Sequence, residues 1–233
     1  MNVLIACEES QRVCVEFRKL GHNAFSCDIQ EPSGGHPEWH ILGDVLGVLN
    51  PSSSGSIQFQ TMDGKQHCIK GKWDLIIAHP PCTYLSNVAV RHHSLKVSSL
   101  EKINKRTENR VEAMSFFMSF VLADCDKIAI ENPIGVMNTA YRKPDQIIQP
   151  YFFAESEEDK ENYVTKSTCL WLKGLPLLTH KEIEKPDNKA LFGTFPDGRA
   201  RNWEAVTVGA KARSKTFTGI AKAIAEQWGG LAK

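Results

Sequence analysis

Apolar residues fall in short runs divided by polar, turn-rich segments, and the two periodicities alternate along the first part of the chain. Val3 to Ala6 reads as a strand. Val13, Phe17 and Leu20 share one face of a helix predicted over Gln11 to Leu20, with Ser10 as its cap and Gly21 at its end. Asn23 to Cys27 is a second strand, closed by Asp28. This β-α-β rhythm predicts a parallel sheet. A turn-rich stretch, Glu31 to Glu38, leads to Trp39-His40-Ile41-Leu42 and then Gly43-Asp44. Ser56 to Ile69 reads as a small polar hairpin turning at Asp63-Gly64, inserted before the next strand. That strand, Trp73 to Ala78, runs straight into His79-Pro80-Pro81-Cys82. Two prolines cannot continue a ladder, so the chain leaves the sheet there. A polar loop follows to Ser99. Ile103, Val111, Met114, Phe117 and Val121 recur at helical spacing and predict a long helix over Leu100 to Ala123, its Met and Phe stripe serving as core. Lys127 to Ile130 is a strand ending in Glu131-Asn132-Pro133, and Thr168 to Leu172 is another. Leu177 to Ala212 shows no clear period, and Phe217 to Trp228 is a closing amphipathic helix.

Composition adds little to this pattern. The chain has 233 residues, 42% hydrophobic and 24% charged, with a net charge of +1. Those values are ordinary for a soluble globular protein, and no global field points to a polyanionic partner. No apolar run reaches the roughly 18 residues of a membrane span. The start, Met1 to Ala6, lacks the basic and long apolar regions of a signal peptide. Seven cysteines, an odd number without a CxxC pair, fit reduced thiols in a cytoplasm rather than a disulfide framework. His36, His40, His67 and Cys68 do not make up a four-ligand zinc spacing, so no metal is expected.

The strand ends carry the chemistry. Open α/β sheets build their sites at the carboxyl edge. Cys82, held by a stiff Pro-Pro turn, and Glu131 fall on two such ends. A thiolate adding to carbon 6 of a pyrimidine makes carbon 5 nucleophilic, and a protonated carboxyl at ring nitrogen 3 promotes that addition. The roles require an exposed, easily ionised thiol and a carboxyl whose pKa burial has raised. Each residue alone also has a plainer reading, a buried cysteine after a turn or a loop-capping carboxylate; the pair together favours the chemistry.

Pro80-Pro81-Cys82 followed by Glu131-Asn132-Pro133 resembles the signature of DNA cytosine-5 methyltransferases, and in particular the compact branch found in phages and prophages. Ala78 to Ser86, Thr165 to Pro176 and Phe217 to Ala221 are similar to that branch as whole blocks. The resemblance implies a Rossmann-like α/β fold: an S-adenosylmethionine-dependent methyltransferase sheet with helices on both faces and a very small target-recognition segment. Residues 1–176 and 210–233 would form the catalytic domain and 177–209 the recognition segment. It implies Cys82 as nucleophile, Glu131 as proton donor to ring nitrogen 3, Asn132 as support for the Cys82 loop, and Lys166 and Thr168 as supports of the base and loop. It also implies S-adenosylmethionine bound by Ala6, Cys7, Glu8, Ser10, Asp28, Asp44, His79 and Pro80. Asp28 would take the ribose hydroxyls and Asp44 would approach the adenine amino group. The partner would be DNA with its target base flipped out, in a cytoplasm, that of the host for a phage protein, with restriction-modification as the setting.

Two departures stand out. Cys7-Glu8-Glu9-Ser10 contains none of the glycines expected in the first loop. Only about 40 residues separate the Leu170 strand from the last motif, little material for reading base edges. That stretch holds Arg199, Arg201, Lys211, Arg213 and Lys215 around Trp203, and with Arg91 these are the candidate nucleic-acid contacts. A solvated charged loop is the plainer reading of them. The alternatives are the same chemistry on RNA or a free pyrimidine nucleotide, and a catalytically inactive nucleic-acid-binding protein. An amino-methyltransferase is disfavoured because Cys82 stands where those enzymes carry an aromatic.

Overall fold

A computed structural model describes residues 1–87 and 98–230. Its centre is a seven-stranded sheet of β1 (Asn2–Ala6), β2 (Asn23–Asp28), β3 (His40–Leu42), β6 (Leu75–Ala78), β7 (Ile128–Pro133), β8 (Gln146–Ile148) and β9 (Thr168–Lys173). The order is β3-β2-β1-β6-β7-β9-β8. β1, β2, β3, β6 and β7 pair in parallel, while β9 runs antiparallel to both β7 and β8. The insertion is a separate antiparallel pair, β4 (Ser56–Gln60) and β5 (Gln66–Lys70), with Gly64 at positive φ in its turn, as the Asp63-Gly64 signal predicts.

Helices lie on both faces of the sheet. On one face α1 (Arg12–Lys19) and α8 (Thr218–Gly229) pack together, and Val13 and Phe17 join Ile220, Ile224 and Trp228 over Val3, Ile5, Leu75 and Ile77. On the other, Phe117 and Phe120 of α3 (Leu100–Val121) pack over Leu4, Ile76, Ile128 and Ile130. The sheet strands are apolar on both sides because both sides are covered. Three buried indoles fasten outlying chain to this core, since a buried N–H must find an acceptor. Trp73 donates to Val48, Trp171 to Arg142 and Trp228 to Pro176, each through a main-chain carbonyl. Shorter helices, α2 (Leu46–Leu49), α4 (Met137–Ala140), α5 (Asn188–Phe192), α6 (Trp203–Val206) and α7 (Ala210–Ser214), occupy the connections.

Two local expectations are corrected, and one edge strand is added that the sequence pattern did not predict. Ser10 does not cap α1: Gln11 stands at the N-cap in a left-handed conformation, and the Glu8 carboxylate accepts from the Val13 and Cys14 amides at 2.6 and 3.2 Å. A carboxylate reaching from outside the helix satisfies two amides that a serine would have served only one at a time. The strand predicted to end at Ile130 continues to Pro133, because Glu131, Asn132 and Pro133 pair with Leu170, Cys169 and Thr168 of β9. Residues Gln146–Ile148, which carry no strand signal, pair with β9 as the sheet's edge. Among the described residues no helix is long and apolar enough to cross a membrane, no three metal-ligating side chains cluster, and all seven cysteines are free.

Candidate active site

The order of strands reverses between β1 and β6, so the loops leaving them part in opposite directions and open a crevice. Five strand ends border it. β1 delivers Ala6 and the loop Cys7 to Ser10, β2 delivers Asp28, β3 leads to Asp44, β6 delivers His79 to Cys82, and β7 delivers Glu131 and Asn132.

The first loop turns without a glycine of its own. Cys7 and Gln11 both take positive φ, near 60°, a conformation costly for side-chain-bearing residues. Cys7 and Glu8 amides both donate to the Cys27 carbonyl, which fixes the turn. Close approach is supplied across the gap by Gly34, where a Cβ would strike Ser10 O and the Gln11 side chain. Glu8 and Glu9 are buried acids. Burial pushes the Glu8 pKa up to about 7, against the pull of His79 and of the two helix amides. Both Glu9 oxygens are buried without a hydrogen bond, and the Lys211 ammonium, 3.3 Å from Oε2, is its ionic neighbour. Asp28 accepts from the Gln30 amide and Asp44 from the Leu46 amide, and both carboxylates add to the burial that raises the Cys7 pKa. Ser10 faces elsewhere: with Arg12, Ser33, Gly34, Lys215 and Thr218 it lines a cleft of about 360 Å³ that includes neither Cys82 nor Glu131.

The thiol and the carboxyl are held in one body. Asn132 Nδ2 donates to Pro80 O at 2.7 Å, joining β7 to the Pro-Pro turn. Beyond it the two loops are zipped: the Val136 amide donates to Leu85 O, Asn87 N to Ile134 O, and Ser86 and Gly135 form a bridge. Cys82 opens a turn in which its carbonyl accepts from the amides of Leu85 and Ser86. Leu85 plugs the core, while Asn109 and Arg110 of α3 hold the Tyr84 hydroxyl and carbonyl. Cys82 itself remains exposed. Thr168, on β9 opposite Pro133, is buried and donates to Lys166 O. The Lys166 ammonium donates to Arg213 O and lies 5.3 Å from the Trp203 ring and 5.7 Å from Phe217. Its charge reaches Cys82, Glu131 and His79.

The ionisation differs from the sequence expectation. Partial enclosure raises the Cys82 pKa and the Glu131 carboxylate adds to the rise, with Lys166 opposing, so the resting group is a thiol. Burial would raise Glu131, yet the hydrogen bond and charge of His79, with Lys166, hold it below the usual carboxylate range. His79 Nδ1 stands 3.2 Å from Glu131 Oε2. Burial alone would lower His79, but Glu131 and Glu8 hold it above the ordinary imidazole value. Sequence reasoning assigned His79 to a cofactor; a partner 52 residues away in the chain leaves no local signal of this pairing.

The basic candidates divide. Lys211 pairs with Glu9, Arg213 donates to Thr207 O, and Lys215 donates to Ser33 Oγ. Arg199 and Arg201 flank Phe195 on an exposed hairpin, with Arg199 also paired to Asp197. Arg91 lies outside the described residues. No family model matches the chain, and neither does any curated protein.

Proposed function

We propose that the protein is an S-adenosylmethionine-dependent methyltransferase that modifies carbon 5 of cytosine in DNA through a covalent adduct with Cys82. The observation that carries this reading is the union of Cys82 and Glu131 across two adjacent strand ends by the Asn132–Pro80 hydrogen bond. Nucleophile and ring-nitrogen partner then approach a flat base from fixed directions, the condition under which orientation lowers a barrier.

The crevice fits a cofactor that is cationic and free of phosphate. The Glu8 carboxylate already takes the α1 amides that a pyrophosphate would need. The buried Glu9 carboxylate, held by the Lys211 charge but without a hydrogen bond, has acceptor capacity left for an ammonium group. Asp28 and Asp44 on the neighbouring strand ends suit hydroxyl and amino groups of a nucleoside. Ala6, Cys7, Glu8, Glu9, Asp28, Asp44 and Pro80 would hold S-adenosylmethionine, which supplies a methyl group on a sulfonium centre. Cys82 adds to carbon 6 of the base once its thiol proton is withdrawn, a step Lys166 favours by its charge. Glu131 bonds the ring edge bearing nitrogen 3, and Asn132 keeps the Cys82 turn in place. A base within a duplex reaches this mouth only by flipping out.

A smaller substrate, RNA or a free pyrimidine nucleotide, is the second reading, favoured by the intramolecular contacts that Lys211, Arg213 and Lys215 already make at the surface. Nucleoside mass spectrometry on DNA from a host without cytosine methylases tests both. 5-Methyldeoxycytidine should accumulate with the intact protein and not with Cys82→Ser, and Glu131→Gln should lower its formation by at least about 10²-fold. Methylated pyrimidine only in RNA or nucleotide pools would replace DNA by the smaller substrate. Calorimetric binding of S-adenosylmethionine argues against an inactive binding protein; soluble protein without product or binding would sink the methyltransferase reading.

A further inference from the structure

His79 is the first residue beyond β6, and its side chain is only 8% exposed. One ring nitrogen is committed to Glu131, at 3.2 Å, and the other, Nε2, is buried with no hydrogen-bond partner. The charged groups facing it come from three separate elements: Glu8 from the loop after β1, Glu131 from β7 and Lys166 from the segment before β9. A histidine kept for packing would rest neutral in such a place, since burial disfavours the charged ring. Two carboxylates against one ammonium reverse that preference. Glu131, by the same contact, is kept from the neutral form that burial alone would impose. The two residues therefore share one proton in a pair whose histidine is buried and whose carboxylate is partly open, at the edge of the mouth that holds Cys82.

Resting on the pyrimidine reading of this mouth, we propose that His79 is a positioning residue that stores the proton of the His79–Glu131 pair and supplies it, through Glu131, to a ring nitrogen of the bound base. The Nδ1 proton passes to Glu131, and the carboxyl passes a proton to the ring nitrogen as the Cys82 S–H bond breaks and the bond from sulfur to carbon 6 forms. The ring gains the proton that His79 held, and the thiol proton leaves to water at the exposed Cys82. The imidazole is left neutral and the carboxylate anionic until a proton from water restores the pair. Glu131 thereby acts as an acid without being protonated at rest.

NMR of the full chain labelled at histidine Cε1 tests the pair directly, with the His79 resonance assigned by its loss in His79→Gln or, if that variant does not fold, His79→Asn. His79 should titrate above the ordinary value of about 6.5 and fall by at least about one pH unit in Glu131→Gln. In methyl transfer, His79→Gln should lower kcat by about 10- to 10²-fold, leave the KM for S-adenosylmethionine within about twofold, and remove one limb of the pH profile. A His79 that titrates at or below the ordinary value and ignores Glu131→Gln overturns the proposal, whatever the activity. An unchanged pH profile in an active His79→Gln overturns it as well. A coupled His79 titration in a protein that methylates no pyrimidine leaves the pair standing but overturns both the proton delivery and the function on which it rests.

Discussion

Cys82 is exposed yet rests protonated, because partial enclosure and the Glu131 charge outweigh Lys166. Its reactivity is thus adjustable from both sides. Removing the carboxylate charge in Glu131→Gln should lower the thiol pKa and speed iodoacetamide labelling of Cys82 several-fold near neutral pH, since about one pKa unit is worth tenfold in thiolate. Lys166→Met should slow it, and peptide mass spectrometry reads both. Glu8 gives a second residue-scale prediction. Its folded pKa, about 7 against an ordinary 4.5, means that the folded state binds the proton more tightly than the unfolded state. Stability is therefore lost as pH rises from 4.5 to about 7, by on the order of 3 kcal/mol at about 1.4 kcal/mol per unit. His79, raised above its ordinary value, loses its contribution in the same direction as pH passes through its folded pKa. Urea unfolding at about pH 5 and pH 8 should show the fall, and Glu8→Gln should remove most of it.

At the scale of elements, the loops after β6 and β7 are one unit. A Cβ on Gly135 would strike the Leu85 carbonyl and Ser86 Cα, so Gly135→Ala must part the two loops. We expect a loss of about 1–3 kcal/mol in thermal or urea unfolding, together with altered Cys82 labelling; an unchanged labelling rate would mean the zipper does not hold the thiol. The same elements mark what was legible in the chain. The strand end at Ala78 stood out because two prolines follow an apolar run, and the parallel pairing of the first strands followed from the β-α-β rhythm. The Asn132 hold on the Cys82 turn was anticipated only through family resemblance. Three features were hidden because their causes are distant in sequence. The extension of β7 through Glu131 depends on pairing with β9, the ionisation of Glu131 depends on His79, and the missing glycine of the first loop is replaced by Gly34. The Glu8 cap was hidden for a smaller reason: it reaches past the residue that normally caps a helix.

For the molecule as a whole, the exposed hairpin carrying Arg199, Phe195 and Arg201 is the part of the 177–209 segment best placed to meet a polyanion. If DNA is the substrate, Arg199→Ala with Arg201→Ala should weaken binding to every sequence alike and reduce the slope of log affinity against log salt by about 2. Fluorescence anisotropy across salt concentrations measures this, and an unchanged slope would move the contact elsewhere. A last consequence concerns mechanics. β7 runs three residues past the last pair it makes with β6, so Glu131, Asn132 and Pro133 project beyond it, fixed on one flank to β9 and joined on the other to the loop after β6 by the Asn132–Pro80 and His79–Glu131 bonds. Lys166 sits two residues before β9 begins. A pull on the chain near Lys166 would therefore pass through β9 and β7 into the loop after β6 and move ammonium, carboxyl and thiol as one rigid block, so the spacing of the three groups withstands a load applied at this edge.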